Sequence, residues 1–261
     1  MITRRHIRIK VLHHLYAHAS DNELGAATLL KNLDKSLEEV HDLFVWDIHA
    51  LLRIYKTAQE QLEKVQSRNV PDEALAQRIG AFTSIPFFSA QKRFIKYIYQ
   101  VHIAENELLH DIYEEMHVGW SDDLDAAQMM SGKVISSWNE QGSVTIPHLY
   151  KDEGDAAFGA LLMRKYFEFA TDSEARIKSK SKNWESDRIA KLDVVLMKLC
   201  IAEWRGMDEI PVKVSMNEYL DLAKEYSTPK SSSFINGILD KIVTNLREEG
   251  LLNKVGRGII E

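Results

Sequence analysis

Hydrophobic side chains recur every three to four residues over most of the chain, which is the spacing of amphipathic helices. Near the start, Ile7, Val11 and Leu15 repeat at i+4 and predict a helix over 4–19. The same spacing predicts further helices over about 29–62, 94–116, 157–179, 185–204, 211–226 and 231–248. Only 12 glycines and 5 prolines occur, so few turns interrupt these segments. We therefore expect an all-α fold.

Composition excludes several classes of protein. The chain is 45% hydrophobic and 28% charged, which is typical of a globular protein. Its one cysteine, Cys200, excludes an intramolecular disulfide. The sequence has no apolar stretch of about 20 residues, so we expect no transmembrane helix. The first residues also lack the apolar core of a secretory signal, and we expect a cytoplasmic protein.

Charge is distributed unevenly along the chain. The formal net charge is −6, which excludes a uniformly basic nucleic-acid binder. Residues 97–132 contain eight acidic residues and no lysine or arginine. Residues 1–20, in contrast, contain no acidic residue and carry the cations Arg4, Arg5, Arg8 and Lys10. A basic first helix and an acidic middle segment predict two separate roles.

Two segments carry residue types suited to single-stranded RNA. Arg4 and Arg8 are one turn apart and share a helical face, and such cations displace the counterions that condense on phosphates. At the other end of the chain, Lys230 and Ser231 open a helix whose free N–H groups suit a phosphate. The ring of Phe234 offers a flat surface for an unpaired base. Alternatively, the serines only cap the helix and Phe234 packs inward with two isoleucines.

The sequence gives little support for an enzyme. It contains no G-x-x-x-x-G-K-[ST], G-x-G-x-x-G or G-x-S-x-G motif. Cys200 lies in an apolar helix, where a buried thiol is inert. Two Glu-x-x-His pairs, Glu38/His41 and Glu107/His110, have the spacing found in di-iron helical bundles, but the sequence offers no obvious pair of further inward glutamates. We expect no catalysis, no cofactor and no metal.

Two further alternatives remain open at this stage. Residues 231–261 could form a recognition helix followed by one wing strand, as in a winged-helix DNA-binding protein, although no second wing strand follows in the sequence. The protein could instead be a helical protein-interaction scaffold that acts through its acidic middle segment.

Three motifs resemble those of the bacterial transcription antitermination factor NusB family. The first is the arginine-rich helix RRHIRIKVLHHLYA at the start of the chain. The second is NWESDRIAKLDVVLMKLCIAEW at 183–204, and the third is MNEYLDLAKEYSTPKSSSFINGILDK at 216–241. The RNA-binding domain of some rRNA cytosine methyltransferases is similar to the same family, but we expect no attached catalytic domain.

The resemblance implies an all-α, NusB-like helical bundle of two subdomains with an additional, mostly helical insertion. The implied parts are the first part of the N-terminal subdomain at 1–45, the acidic insertion at 45–150, the remainder of the N-terminal subdomain at 151–182 and the C-terminal subdomain at 183–261. It implies binding to boxA-type single-stranded RNA in the leaders of ribosomal RNA operons. It also implies a ribosomal protein partner, NusE, and assembly on elongating RNA polymerase.

The resemblance also implies roles for individual residues. It assigns to the RNA side the residues Arg4, Arg5, His6, Arg8, Tyr16, Lys230, Ser231 and Phe234. It assigns Asp187 and Asp193 to the surface that meets the protein partner. It implies no membrane contact.

Overall fold

The computed structural model describes residues 1–20, 25–67, 72–83, 88–181 and 190–259. Within these ranges the secondary structure is helical and contains no β-strand, so the all-α prediction is confirmed. No helix in the described ranges is long and apolar enough to span a bilayer. The helices are α1 Arg4–Ser20, α2 Ala26–Gln66, α3 Glu73–Thr83, α4 Phe88–Tyr99, α5 Glu107–Met116, α6 Leu124–Ser137, α7 Glu153–Glu168, α8 Ala170–Lys180, α9 Lys191–Gly206, α10 Val212–Tyr226 and α11 Ser231–Glu248. A π-helical turn at Gln100–Ala104 and 3₁₀ turns at Val118–Trp120 and Gly256–Ile259 complete the description.

The chain forms two compact units. The middle unit comprises Met1–Ile2 and Ser36–Lys151, and the terminal unit comprises Thr3–Lys35 and Asp152–Glu261. Helix α2 therefore contributes its beginning to the terminal unit and the rest to the middle unit. The insertion at 45–150 and the subdomain boundary at 182 were predicted from the family resemblance, and both stay predictions.

The core of the terminal unit surrounds α9, which contacts α1, α7, α8, α10 and α11. Helix α1 packs through the face predicted from its i+4 spacing, since Ile7, Val11 and Leu15 are all buried. Gly159 of α7 permits a close approach to α1, because a Cβ at this position would lie only 2.8 Å from the Cγ2 atom of Ile7. The basic helix α1 is thus an integral core element of this unit.

Two hydrophobic clusters form the core of the middle unit. The first consists of Leu43, Phe44, Tyr113, Trp120, Ala127 and Met130. The second consists of Tyr99, Ile103 and Ile135. The indole of Trp120 also donates a hydrogen bond to the carbonyl oxygen of Glu39 at 3.1 Å. The clusters join α2 to the helices that follow it, so the middle unit has its own apolar core.

The predicted helix over 94–116 is interrupted, and this prediction was wrong in its continuity. Asn106 adopts an extended conformation (φ −91°, ψ 94°), and its side chain accepts a hydrogen bond from the backbone N–H of Leu109. An asparagine in this position caps a new helix by satisfying a free N–H group. The predicted helix over 157–179 likewise divides at Phe169, and α6 was not predicted.

The segment after α11 packs against the connection between α9 and α10. The backbone N–H of Val255 donates to the carbonyl oxygen of Asp208 at 3.0 Å, and Lys254 Nζ donates to that of Met207 at 2.8 Å. A Cβ on Gly258 would collide with the Asp208 carbonyl oxygen, so glycine is required for this close approach. The described part of this segment contains no strand, which does not support the winged-helix alternative.

Candidate nucleic-acid interface

Arg8 is buried in an ion pair with Glu203 of α9. Its Nε and Nη2 donate to the two carboxylate oxygens at 2.9 and 2.7 Å, and the side chains are 4% and 0% exposed. Ser215 Oγ and Tyr219 Oη of α10 donate to the same carboxylate at 2.7 and 2.8 Å. Arg8 therefore links α1 to α9 and α10 and does not lie on the surface on which RNA binding was predicted.

The buried pair stays charged because each partner stabilises the other. Burial opposes the charged form of Arg8, but the hydrogen bond and charge of Glu203 raise the pKa of its guanidinium above the ordinary value. Burial alone would raise the pKa of Glu203, whereas hydrogen bonding to Arg8 and the charge of Arg8 lower it overall. Bidentate geometry of this kind is the strong form of an arginine–carboxylate pair.

Arg4 faces α7. Its Nε donates to Asp155 Oδ1 at 2.7 Å, and its guanidinium carbon lies 5.2 Å from the ring centre of Phe158. The guanidinium carbon of Arg8 lies 5.1 Å from the same ring centre. The prediction that Arg4 and Arg8 share a face is thus confirmed. That face contacts α7 and α9, where Arg8 is 4% exposed while Arg4 stays 39% exposed.

Arg5 faces α10, and its exposure is similar to that of Arg4 and far greater than that of Arg8. Its Nη2 donates to Glu225 Oε2 at 2.9 Å, and its Nη1 lies 3.7 Å from Glu218 Oε2. The Arg5 side chain is 37% exposed, and an ion pair in such a position contributes little to stability. Nearby, His6 Nδ1 lies 2.7 Å from the Thr3 hydroxyl oxygen.

An aromatic contact brings α1 to the end of α10. The ring of His13 packs edge-on against Tyr226, with 5.5 Å between ring centres. Tyr16 lies one turn further along α1 and is 43% exposed. From Tyr226 the chain turns through the exposed Lys230 into α11, where Phe234 is half-buried. The ring that contacts α1 thus lies at the end of α10, and the chain continues from there to the start of α11.

Ser231 and Asp193 were predicted to serve different partners, but they bond to each other. Asp193 Oδ2 accepts a hydrogen bond from Ser231 Oγ at 2.8 Å, and its Oδ1 accepts one from Ser227 Oγ at 2.6 Å. Both Asp193 and Ser231 are buried. Their hydrogen bonds hold α9 against the turn before α11, so both side chains have a structural role. Asp187, the other residue predicted for the protein partner, lies outside the described residues.

Sequence reasoning missed the acidic partners of α1. Asp155 and Glu203 lie 151 and 195 residues from Arg4 and Arg8 along the chain, so no local pattern joins them. The contact of His13 with Tyr226 was also missed, and the run of histidines in α1 gives no indication of it.

The alternative metal and nucleophile sites have structural explanations. Among the described residues, no group of three or more His, Cys, Asp and Glu side chains is arranged to hold a metal ion. His41 packs edge-on against Phe44, and His110 Nε2 lies 3.2 Å from the carbonyl oxygen of Ile103. Cys200 is buried, and its burial raises the pKa of the thiol well above the ordinary value.

Comparison with known proteins identifies a family match that includes most of α11 but not α1. The NusB family model matches residues 122–244, from just before α6 into α11. The transcription antitermination protein NusB of Salinibacter ruber is 38% identical over 117 residues, which cover 45% of this chain and 72% of that protein. The chain belongs to the NusB family.

Two further relatives match shorter stretches. The transcription antitermination protein NusB of Chloroherpeton thalassium is 44% identical over 90 residues, or 34% of this chain and 43% of that protein. The NusB protein of Natranaerobius thermophilus is 46% identical over 68 residues, or 26% of this chain and 49% of that protein. No solved structure shows a significant match. The family match begins inside the segment predicted as the insertion, 45–150.

Proposed function

We propose that this member of the NusB family is a transcription antitermination factor. In this proposal it binds boxA-type single-stranded RNA of ribosomal RNA operon leaders, together with the ribosomal protein NusE, on elongating RNA polymerase. The observation that carries the proposal is the family membership, because the matched relatives are named transcription antitermination proteins. We propose no catalytic step.

The RNA surface in this proposal is formed by α1 and the start of α11. Arg5 and Lys230 neutralise phosphates, while Tyr16 and Phe234 provide faces for unpaired bases. Arg4 and His6 border this surface. Arg8, Ser231 and Asp193 act indirectly, because their buried bonds hold α1, α9 and α11 in position.

The electrostatics favour modest RNA affinity and dependence on a partner. Carboxylates already accompany Arg4 and Arg5, and the net charge of the chain is −6. Two or three phosphate contacts with a single strand give a slope of about −1.4 to −2.1 in a plot of log K against log salt. Because this electrostatic contribution to RNA affinity is small, we expect NusE to supply much of the binding free energy in the joint complex.

Replacing Lys230 with alanine tests the assignment of α11. We expect weaker binding of a boxA RNA and a salt slope reduced by about 0.7, the contribution of one phosphate contact. Lys241→Ala is the matched control, since Lys241 is an exposed lysine on α11 that lies eleven residues after Lys230 in the sequence. Affinity and salt slope are measured by fluorescence anisotropy. Equal effects of the two substitutions would show that the start of α11 is not part of the RNA surface.

A second candidate function is a protein-interaction scaffold that acts through the middle unit. The observation that favours it is the segment 97–132, which has eight acidic residues and no lysine or arginine. The two functions are compatible because they use different units of the chain. RNA binding that persists when the surface of the middle unit is altered would assign the two functions to separate surfaces.

A further inference from the structure

Helix α5 presents a row of apolar side chains to solvent. Leu108, Ile112 and Met116 follow one another at i+4 and therefore lie on one face. They are 70%, 43% and 47% exposed. Single exposed apolar residues are ordinary, but a contiguous row marks an interaction site.

The orientation of α5 is fixed by its other face. Tyr113 is buried in the first cluster of the middle unit, and Leu109 packs against both clusters. Asn106 caps the start of the helix through the N–H of Leu109. The exposed row is thus part of a helix held in place by its own core contacts, and it offers a preformed surface.

Acidic side chains accompany this row. The helix carries four exposed carboxylates, on Glu107, Asp111, Glu114 and Glu115. Residues 97–132 have a formal charge of −8, because they contain eight acidic residues and no lysine or arginine. The apolar side chains provide affinity for a partner, and the negative charges beside them favour a partner of positive charge.

We propose that the exposed face of α5 docks an amphipathic helix of a protein partner. The apolar side chains of that partner helix cover Leu108, Ile112 and Met116, and its flanking lysines or arginines face the carboxylates of α5. Charge complementarity selects this occupant, because RNA and an anionic membrane surface are repelled by the same carboxylates. A second copy bound through the same face would place two acidic helices together.

In this binding mode one helix recognises another through apolar anchor residues spaced at i and i+4. Burying the apolar row supplies most of the affinity, since it removes hydrocarbon from water. The carboxylates mainly raise the association rate and orient the partner. Apolar substitutions should therefore change dissociation, and charge substitutions should change association and its salt dependence.

The test uses the full chain and a synthetic helical probe. The probe is a fluorescein-labelled peptide with leucine on one helical face and lysine on the flanks. One control peptide has alanine in place of leucine, and another has glutamate in place of lysine. We expect binding of the first peptide alone, with protection of the α5 amides from hydrogen exchange. Tight binding of the alanine peptide, or absence of protection in α5, would overturn the proposal.

Substitutions locate the site. Leu108→Ser combined with Ile112→Ser should weaken peptide binding by about tenfold or more, as expected for central apolar anchors. Leu52→Ser is the matched control, because Leu52 is 60% exposed on α2. Circular dichroism checks that each variant folds, and boxA RNA binding should not change in either. Equal loss of peptide binding in both variants contradicts the proposal.

Self-association is the remaining outcome. Light scattering of the wild type and of the double variant distinguishes a hetero-partner surface from an interface between copies. If the wild type is a dimer that the double variant converts to a monomer, α5 is a self-association surface and the proposal is wrong. An unchanged oligomeric state supports it. The test involves only the middle unit, so its failure leaves the proposed RNA function intact.

Discussion

Replacing Arg8 with methionine removes the cation from a carboxylate that has no access to water. Breaking a buried ion pair by removing one partner costs about 3–5 kcal/mol, because the other charge stays buried. Glu203 keeps the hydrogen bonds donated by Ser215 and Tyr219, so we expect the lower end, about 3 kcal/mol. The matched control is Arg5→Met, whose half-exposed ion pairs predict a loss below about 1 kcal/mol.

Hydrogen exchange measured by mass spectrometry is the suitable assay, because it reports each unit of the chain separately. A loss of about 3 kcal/mol corresponds to amide exchange in α9 that is faster by about a hundredfold. Backbone amides of the middle unit serve as the internal reference.

The pH dependence gives a second signature of the same pair. In the folded wild type the pKa of Glu203 is below its ordinary value of 4.5, so the pair contributes stability above that pH. This contribution is lost as the pH falls through the lowered pKa. In Arg8→Met the sign reverses, because protonation relieves a buried and uncompensated carboxylate. Acidification should therefore protect α9 in the variant.

One result would refute the assignment of Arg8 to structure. If Arg8→Met leaves the exchange of α9 unchanged but abolishes RNA binding, Arg8 contacts RNA directly. The converse pattern for Arg5→Met, normal exchange with weaker RNA binding, is what the assignment of Arg5 to the RNA surface predicts.

Three further predictions concern other parts of the molecule. Phe234→Ala should weaken boxA RNA binding by about 1–3 kcal/mol if a base stacks on the ring, and unchanged affinity with unchanged folding would exclude it. Gly258→Ala should release the C-terminal segment by collision with Asp208, at a cost of about 1–3 kcal/mol, measurable as faster limited proteolysis after α11. Burial raises the pKa of Asp47 above 3.8, so wild-type stability should fall as the pH rises through the interval between 3.8 and that raised pKa. Asp47→Asn should remove this dependence in a pH series of thermal melts while still accepting the 2.7 Å bond from Tyr99.

The hydrophobic spacing predicted the helices well where one apolar face continues and no capping residue starts a new helix within it. The predicted range 231–248 coincides with α11, and α1 extends only one residue beyond its prediction. The break at Asn106 was missed because the apolar spacing runs on across it. Only the extended backbone of Asn106 and its bond to Leu109 reveal a helix start.

The candidate site was predictable in its residue types but not in its geometry. The spacing of Arg4 and Arg8 correctly placed them on one face, but it did not indicate whether that face points to solvent. The answer depends on Asp155 and Glu203, which are distant in sequence. The burial of Ser231 was likewise unpredictable, since it depends on a carboxylate from another helix.

RNA binding is the most direct test of the proposed antitermination function. Fluorescence anisotropy compares a boxA RNA with a scrambled RNA, with and without NusE, at two salt concentrations. We predict preference for boxA, stronger binding with NusE and a salt slope of about −1.4 to −2.1 for the chain alone. Equal binding to both RNAs, or no binding even with NusE, would contradict it.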